Sequence, residues 1–130
     1  MAQAVHHIDV LVRFFFSMRD TLKLYHWRTR CHARHVATNE LLQVLEPLID
    51  QFVEVYSGRY QRPAYGPGGF GARVFELDDA EAARRLQRYA EYLRTGLVAH
   101  LDARTDLDLL TIRDEMLAAL NRASYLYTLS

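Results

Sequence analysis

The feature that most constrains the fold is a set of four segments in which apolar residues recur every three or four positions. This spacing places apolar side chains on one face of an α-helix. Helices are therefore predicted over about 5–29, 33–57, 79–102 and 106–129. Their apolar stripes are Ile8, Leu11, Phe15, Met18, Leu22 and Tyr25; Leu42, Leu45, Ile49, Phe52 and Tyr56; Leu86, Ala90, Leu93, Leu97 and Leu101; and Leu109, Ile112, Met116, Leu120, Ala123 and Tyr127. No strand pattern of comparable length competes, so an all-α protein is expected.

The links between these segments indicate how the helices are connected. Two links are short, which favours antiparallel hairpins of the first two helices and of the last two. The middle link, 58–77, holds five of the six glycines and two of the three prolines, so it is predicted to be irregular. A link of this length can cross a bundle from end to end. We therefore predict a single domain over 1–130, a four-helix bundle with the one long crossover of the ferritin-like arrangement.

Local signals predict where helices begin and bend. Pro47 lies inside the second helix, where the lost backbone donor and the ring clash should bend the helix without ending it. Asp78 with Glu81 is a capping box before the third helix. Thr105 with Asp108 repeats this signal before the fourth helix.

Charge and composition limit the classes of function. The chain has 130 residues, of which half are hydrophobic, with 16 basic and 16 acidic side chains. This balance argues against nonspecific nucleic-acid or membrane binding, because counterion release requires an excess of Lys and Arg. The sequence contains no GxSxG, GxxxxGK[ST] or HExxH motif, which disfavours nucleotide-dependent and hydrolase functions. Without a long apolar run or a signal-peptide pattern, a soluble cytoplasmic protein is expected.

Candidate metal ligands are split between two parts of the predicted α-helical hairpin. The pairs His35/Asn39 and Asp50/Glu54 each have the i, i+4 spacing that places two side chains on one helix face. His35 and Asp50 are about 22 Å apart along one helix, whereas metal–ligand bonds are about 2 Å. One chain cannot close such a site. Two chains that pack their second helices antiparallel about a twofold axis would bring His26, His35 and Asn39 of one subunit to Asp50 and Glu54 of its partner.

The segment 24–60 contains, in order, a His-Trp pair, His-x-x-x-Asn and Asp-x-x-x-Glu. It resembles the region of Dps-type mini-ferritins that carries a His-Trp pair, His-x-x-x-Asp and Asp-x-x-x-Glu. The resemblance implies a metal centre between twofold-related subunits, iron as the metal, and oxidation of Fe(II) by peroxide or oxygen. The implied metal ligands are His26, His35, Asn39, Asp50 and Glu54, and Trp27 would pack beside the site. Mixed imidazole and carboxylate donors suit iron or another borderline divalent ion.

Two departures from the family pattern favour a second hypothesis. Asn39 stands where the family has an aspartate, which removes one negative charge, and the stretch from His26 to His35 is shorter than in the family. The alternative is a non-enzymatic, dimerising ferritin-like structural or interaction protein with an empty or degraded metal site. The segments IRDEM at 112–116 and YLYTL at 125–129 also resemble small uncharacterised ferritin-like proteins of large DNA viruses, for which a virion location would follow. Both hypotheses imply at least a homodimer, and DNA binding is disfavoured.

Three further features lie outside the candidate site. Arg84, Arg85 and Arg88 are predicted to form a solvated face near acidic neighbours. His100, beside the stripe of the third helix, is predicted to be a hydrogen-bonded residue at the edge of the core. The aromatic run 14–16 must turn one ring away from the core, which indicates a subunit contact.

Overall fold

A computed structural model describes the backbone of residues 2–130 and the side chains of residues 7–130. Four α-helices are present: α1 (Ala2–Arg28), α2 (His32–Arg59), α3 (Asp79–Glu91) and α4 (Leu107–Tyr127). A π-helical turn, Tyr92–Gly96, and a 3-10 turn, Leu97–His100, continue α3. α2 runs unbroken through Pro47, as predicted. Residues 2–130 contain no strand, so the all-α prediction is confirmed.

Contacts at the helix ends fix the direction of each helix. Asp79 at the start of α3 accepts a hydrogen bond from Tyr25 Oη, 2.6 Å away, near the end of α1. The last residue of the 3-10 turn, His100, meets His7 near the start of α1. α3 therefore runs antiparallel to α1. Tyr127 at the end of α4 meets Thr38 near the start of α2, so these two helices are antiparallel as well.

The bundle therefore has two distinct ends. The hairpin end contains the turn between α1 and α2, the start of α3 and the end of α4. The distal end contains the start of α1, the end of α2 and the start of α4. α2 packs against both α1 and α4, and α4 also packs against α3.

The link between α2 and α3, residues 61–78, runs along α1 from the distal end to the hairpin end. Near its beginning, Tyr65 Oη donates a 2.5 Å hydrogen bond to the carbonyl of Asp9. Near its end, Phe75 N donates to Thr21 Oγ1 at 3.1 Å. The link has no helix, in agreement with its high glycine content. It is the end-to-end crossover that its length predicts.

The predicted apolar stripes form the core. All of their members are buried except Leu101, which is partly exposed. Phe15 and Phe52 join α1 to α2 through an edge-to-face contact with ring centroids 5.3 Å apart. Burying each large apolar side chain contributes about 2 kcal/mol, so the stripes are the main source of stability.

The run of three phenylalanines is accommodated within one chain. Phe15 is buried in the core, and Phe14 packs on Tyr92 with ring centroids 4.1 Å apart. Phe16 stacks on Phe70 of the crossover at 5.6 Å. The crossover, whose path a helical pattern does not specify, thus covers part of the Phe16 ring.

The two predicted capping boxes have different outcomes. The first is confirmed, because Glu81 N donates to Asp78 Oδ1 at 2.7 Å and Asp78 N donates to Glu81 Oε1 at 3.2 Å. The second, Thr105 with Asp108, is wrong, because α4 begins after Asp106 and none of the side chains of residues 7–130 caps it. The carboxylate of Asp106 is buried, and it accepts hydrogen bonds from the end of α2 and from the preceding loop. Tertiary contacts therefore fix this helix start.

The third helix departs from the predicted continuous α-helix over its last two turns. The π turn ends at Gly96, where a Cβ atom would lie 2.4 Å from the ring of Tyr92. A glycine at this position gives the Tyr92 ring room to lie against the backbone. A π turn contains more residues per turn than an α-helix, and here Leu93 and Leu97 both remain buried.

Candidate metal site

His26 and His35 come together at the hairpin end, on either side of the α1–α2 turn. Their rings are stacked with centroids 4.0 Å apart and 15° between planes. His26 Nδ1 lies 3.1 Å from the carbonyl oxygen of His35, and His35 Nδ1 lies 2.8 Å from that of His26. A carbonyl oxygen can only accept, so each Nδ1 carries a proton and donates. In the neutral rings, both Nε2 atoms keep their lone pairs.

The environment of this histidine pair favours the neutral form of His26. Burial lowers the pKa of His26, and the charges of His35 and Lys23 lower it further, while the hydrogen bond to the His35 carbonyl opposes them. Neutral imidazole is the form that binds metal ions, and an Nδ1–H bond to a carbonyl is the usual support of a metal-bound histidine. The ring planes are nearly parallel, so lone pairs that lie in these planes do not converge on one point. Both rings would tilt to share one ion.

Asp50 and Glu54 lie one helical turn apart on the exposed side of α2. Both line a surface cavity of about 340 Å³ between α1, α2 and the crossover. Neither carboxylate forms an ion pair with a residue that the structure describes. Asn39 lines a second cavity of about 340 Å³, and Arg19 borders both cavities. The three predicted oxygen ligands therefore lie along one face, formed by α1 and α2.

The structure brings the two histidines together, and it brings the two carboxylates together, but it does not join the pairs. Along α2, His35 and Asp50 remain about 22 Å apart by helical rise. Within residues 7–130, no group of three or more His, Cys, Asp or Glu side chains lies close enough to hold a metal ion. The candidate ligands of one chain are thus two separate halves.

Trp27, expected beside the site, lies on the surface. Its side chain is 68% exposed, and Lys23 Nζ lies 5.6 Å from the centre of its ring. His26, its neighbour in sequence, is only 8% exposed, because the two side chains point to different sides of α1.

A polar cluster that the sequence does not predict lies beside the histidine pair. Tyr25 Oη donates to Asp79 Oδ1 at 2.6 Å, and Arg34 Nη1 donates to Tyr25 Oη at 3.2 Å and to the carbonyl of Asp79 at 2.9 Å. The hydrogen bond from Tyr25 holds the pKa of Asp79 below its usual range. These residues come from three helices, so no local pattern could have identified the cluster.

A related arrangement occupies the distal end. Tyr60 Oη donates to Asp106 Oδ1 at 2.5 Å, and Arg59 Nη2 pairs with the same oxygen at 3.0 Å. Nearby, the Nδ1 atoms of His7 and His100 lie 2.6 Å apart, so one ring donates and the other accepts. The prediction that His100 is hydrogen-bonded at the core edge is confirmed. Burial, followed by the charge of His7, lowers the pKa of His100.

The fold and the site define an all-α protein of four helices whose candidate ligands lie in two groups along one hairpin. The chain belongs to a family of unknown function (DUF5856), which matches residues 26–127. The matched range contains every predicted ligand, from His26 to Glu54. No curated protein and no solved structure matches the chain. None of the helices described here is long and apolar enough to cross a membrane.

Proposed function

We propose that this protein is a ferritin-like, Dps-related protein that binds Fe(II) at a site formed by two chains and oxidises it. The observation that carries the proposal is the pair of half-sites. One half presents two imidazoles whose Nδ1 atoms donate to carbonyls. The other half presents two exposed carboxylates that form no ion pair with a described residue. The helix directions and the crossover along α1 support the ferritin-like arrangement.

In the proposed dimer, the second helices of two chains lie antiparallel across a twofold axis. Each of two equivalent sites then receives His26, His35 and Asn39 from one chain and Asp50 and Glu54 from the other. Two carboxylates balance the charge of a divalent ion, while the imidazole nitrogens supply borderline donors suited to iron. Trp27 would be covered where the partner approaches.

The side chains in this proposal bind and orient the substrate iron. Each Fe(II) gives up one electron, and one hydrogen peroxide accepts two electrons and two protons to form two water molecules. The carboxylates of Asp50 and Glu54 favour the more highly charged product, because negative charge stabilises Fe(III) more than Fe(II). Asn39 supplies a neutral oxygen in place of a charge, so it contributes less to this preference.

Anaerobic Fe(II) titration followed by oxidant tests the proposal. Wild type should bind iron and develop Fe(III) absorbance, whereas His35→Ala and Glu54→Ala should lose most of both signals. Glu115→Ala removes an exposed glutamate on α4 and serves as the matched control. Equal iron binding in the wild type and the two site variants would contradict the proposal.

Mixing the two inactive variants tests whether the site is shared between chains. A dimer of one His35→Ala chain and one Glu54→Ala chain has one site with both defects and one intact site. Random exchange should therefore restore about a quarter of the wild-type sites, because half of the dimers are mixed. A site built within one chain would show no recovery on mixing.

A second candidate function is a dimerising structural or interaction protein with an unfilled site. The amide of Asn39 and the nearly parallel ring planes of the histidine pair favour it. This candidate predicts a dimer by light scattering without iron binding above that of the His35→Ala variant. A monomer at all concentrations would contradict both candidates.

A further inference from the structure

Three arginines on α3 line a surface cavity that has no function in the proposed iron site. Arg84, Arg85 and Arg88, here called the arginine patch, border a cavity of about 170 Å³ together with Glu81. The prediction of a solvated face near acidic neighbours is confirmed, because Arg84 and Arg88 are exposed and Glu81 lines the same cavity. None of the three forms an ion pair with a residue in the described part of the chain.

The patch brings three arginines that form no ion pair with a described residue around one cavity. Six arginines on α1, α2, α4 and the π turn form ion pairs with described carboxylates; these are Arg19, Arg28, Arg59, Arg94, Arg113 and Arg122. The only carboxylate that lines the cavity, Glu81, already accepts the backbone N–H of Asp78 in the capping box. Arg84 and Arg88 lie one turn apart on one face of α3, where like charges repel. A bound anion would relieve this repulsion.

The crossover holds one member of the patch in place. The guanidinium carbon of Arg85 lies 4.0 Å from the ring centre of Phe75, and that of Arg73 lies 4.9 Å from the same ring. Contact with an aromatic face orders a side chain that would otherwise sample many rotamers. An ordered guanidinium loses less conformational entropy when it binds a ligand.

We propose that the arginine patch binds a small phosphate-bearing anion. A guanidinium presents paired N–H donors that match two oxygens of a phosphate, which makes arginine the favoured residue for such recognition. The cavity is small, and the chain has no net charge. A nucleic-acid surface would need basic side chains along a longer track to release counterions, so the small anion is favoured over a polynucleotide.

Calorimetric titration and thermal unfolding with inorganic phosphate test this site on the full chain. Phosphate should bind the wild type and raise its Tm more than sodium chloride of equal ionic strength, since a ligand that binds only the native state stabilises it. The double variant R84Q/R88Q should bind phosphate about tenfold more weakly, because charge-assisted hydrogen bonds are lost. The variant R62Q/R104Q removes two other exposed arginines that form no ion pair with a described residue, with the same change in charge, and should bind like the wild type.

Glutamine is a good helix former, so R84Q/R88Q should keep its helical circular dichroism, and the single variant R84Q provides a milder second measurement. Equal phosphate binding by the wild type and R84Q/R88Q would overturn the proposal, as would the absence of binding to the wild type. A short single-stranded oligonucleotide that binds through the patch when phosphate does not would replace this proposal with nucleic-acid recognition.

Discussion

The two ends of the bundle contain the same kinds of residues in different arrangements. Each end has two histidines in contact and a tyrosine, an aspartate and an arginine joined by hydrogen bonds. At the hairpin end, each histidine ring donates to a backbone carbonyl and Asp79 is exposed. At the distal end, the histidine rings bond to each other, and Asp106 is only 1% exposed.

This difference separates a region suited to binding from a region suited to stability. Carbonyl partners fix the rings of the hairpin end while leaving Nε2 lone pairs for a ligand. At the distal end, one nitrogen of each histidine ring takes part in the hydrogen bond between the two rings. Asp106 is surrounded by its hydrogen-bond donors. Buried, satisfied polar groups stabilise one packing arrangement and are costly to disturb. Four experiments test how far this contrast holds.

The largest effect is expected from Asp106→Ala. Removing this buried carboxylate leaves Tyr60 and the backbone N–H of Asp102 without their acceptor. We expect a loss of about 3 kcal/mol in the free energy of unfolding, measured by urea denaturation. Asp79→Ala at the exposed cluster should cost less than about 1 kcal/mol, because solvent replaces the lost partner. Equal losses would remove the distinction between the ends.

Tyr127→Phe tests whether the hairpin end also contains a buried polar contact. Burial raises the pKa of Tyr127 to about 12, so its hydroxyl stays protonated at neutral pH and lies 2.5 Å from the hydroxyl of Thr38. The variant should lose about 1 kcal/mol, since buried Thr38 is left without its partner. Adding Thr38→Val should recover part of this loss, and a further loss of similar size would contradict the paired arrangement.

A smaller effect is expected in the pH dependence of stability. The pKa of His100 is lowered in the folded protein, so the unfolded chain binds its proton first as the pH falls. The stability that neutral His100 contributes is therefore present above about pH 6.5 and is lost as the pH falls below it. The lowered pKa of His26 acts in the same direction. Urea denaturation at pH 7 and pH 5 should show a smaller change for His100→Asn than for the wild type; equal changes would contradict this contribution.

The last test involves no loss of stability. It determines the tautomer of each histidine ring from ¹⁵N spectra at neutral pH. His26 and His35 should both show the tautomer with the proton on Nδ1, because both donate to carbonyls. His7 and His100 should show one tautomer of each kind, because one Nδ1 donates to the other. Single His→Gln variants assign the signals. Two rings protonated on Nε2 at the hairpin end would contradict its geometry.

The sequence predicts those parts of the fold that depend on neighbouring residues. The spacing of the stripes identifies about three quarters of the buried hydrophobic positions in the described residues. Asp78 with Glu81 marks the start of α3. Both signals act within a few residues. The approach of His26 to His35 follows from the short turn between their helices. The hydrogen bonds from each ring to the backbone carbonyl of the other histidine do not follow from the sequence, since they depend on the geometry of the turn.

The features that the sequence did not predict depend on the crossover or on contacts between helix ends. Phe16 meets Phe70, and Arg85 meets Phe75, only because the crossover lies along α1. Asp106 fixes the start of α4 because the end of α2 arrives there. Such pairings join positions far apart in sequence, and helical periodicity contains no information about them.

The path of the crossover also has a kinetic consequence. The turns that close the α1–α2 and α3–α4 hairpins are short, so each hairpin can form through contacts that are local in sequence. Contacts of α2 with α4, and of the crossover with α1, join residues that are far apart in sequence. They form only when the segment 61–78 lies along α1. We therefore expect the two hairpins to form fast. Their docking should be slower and limit the folding rate, because the crossover that connects them must first find its path along α1.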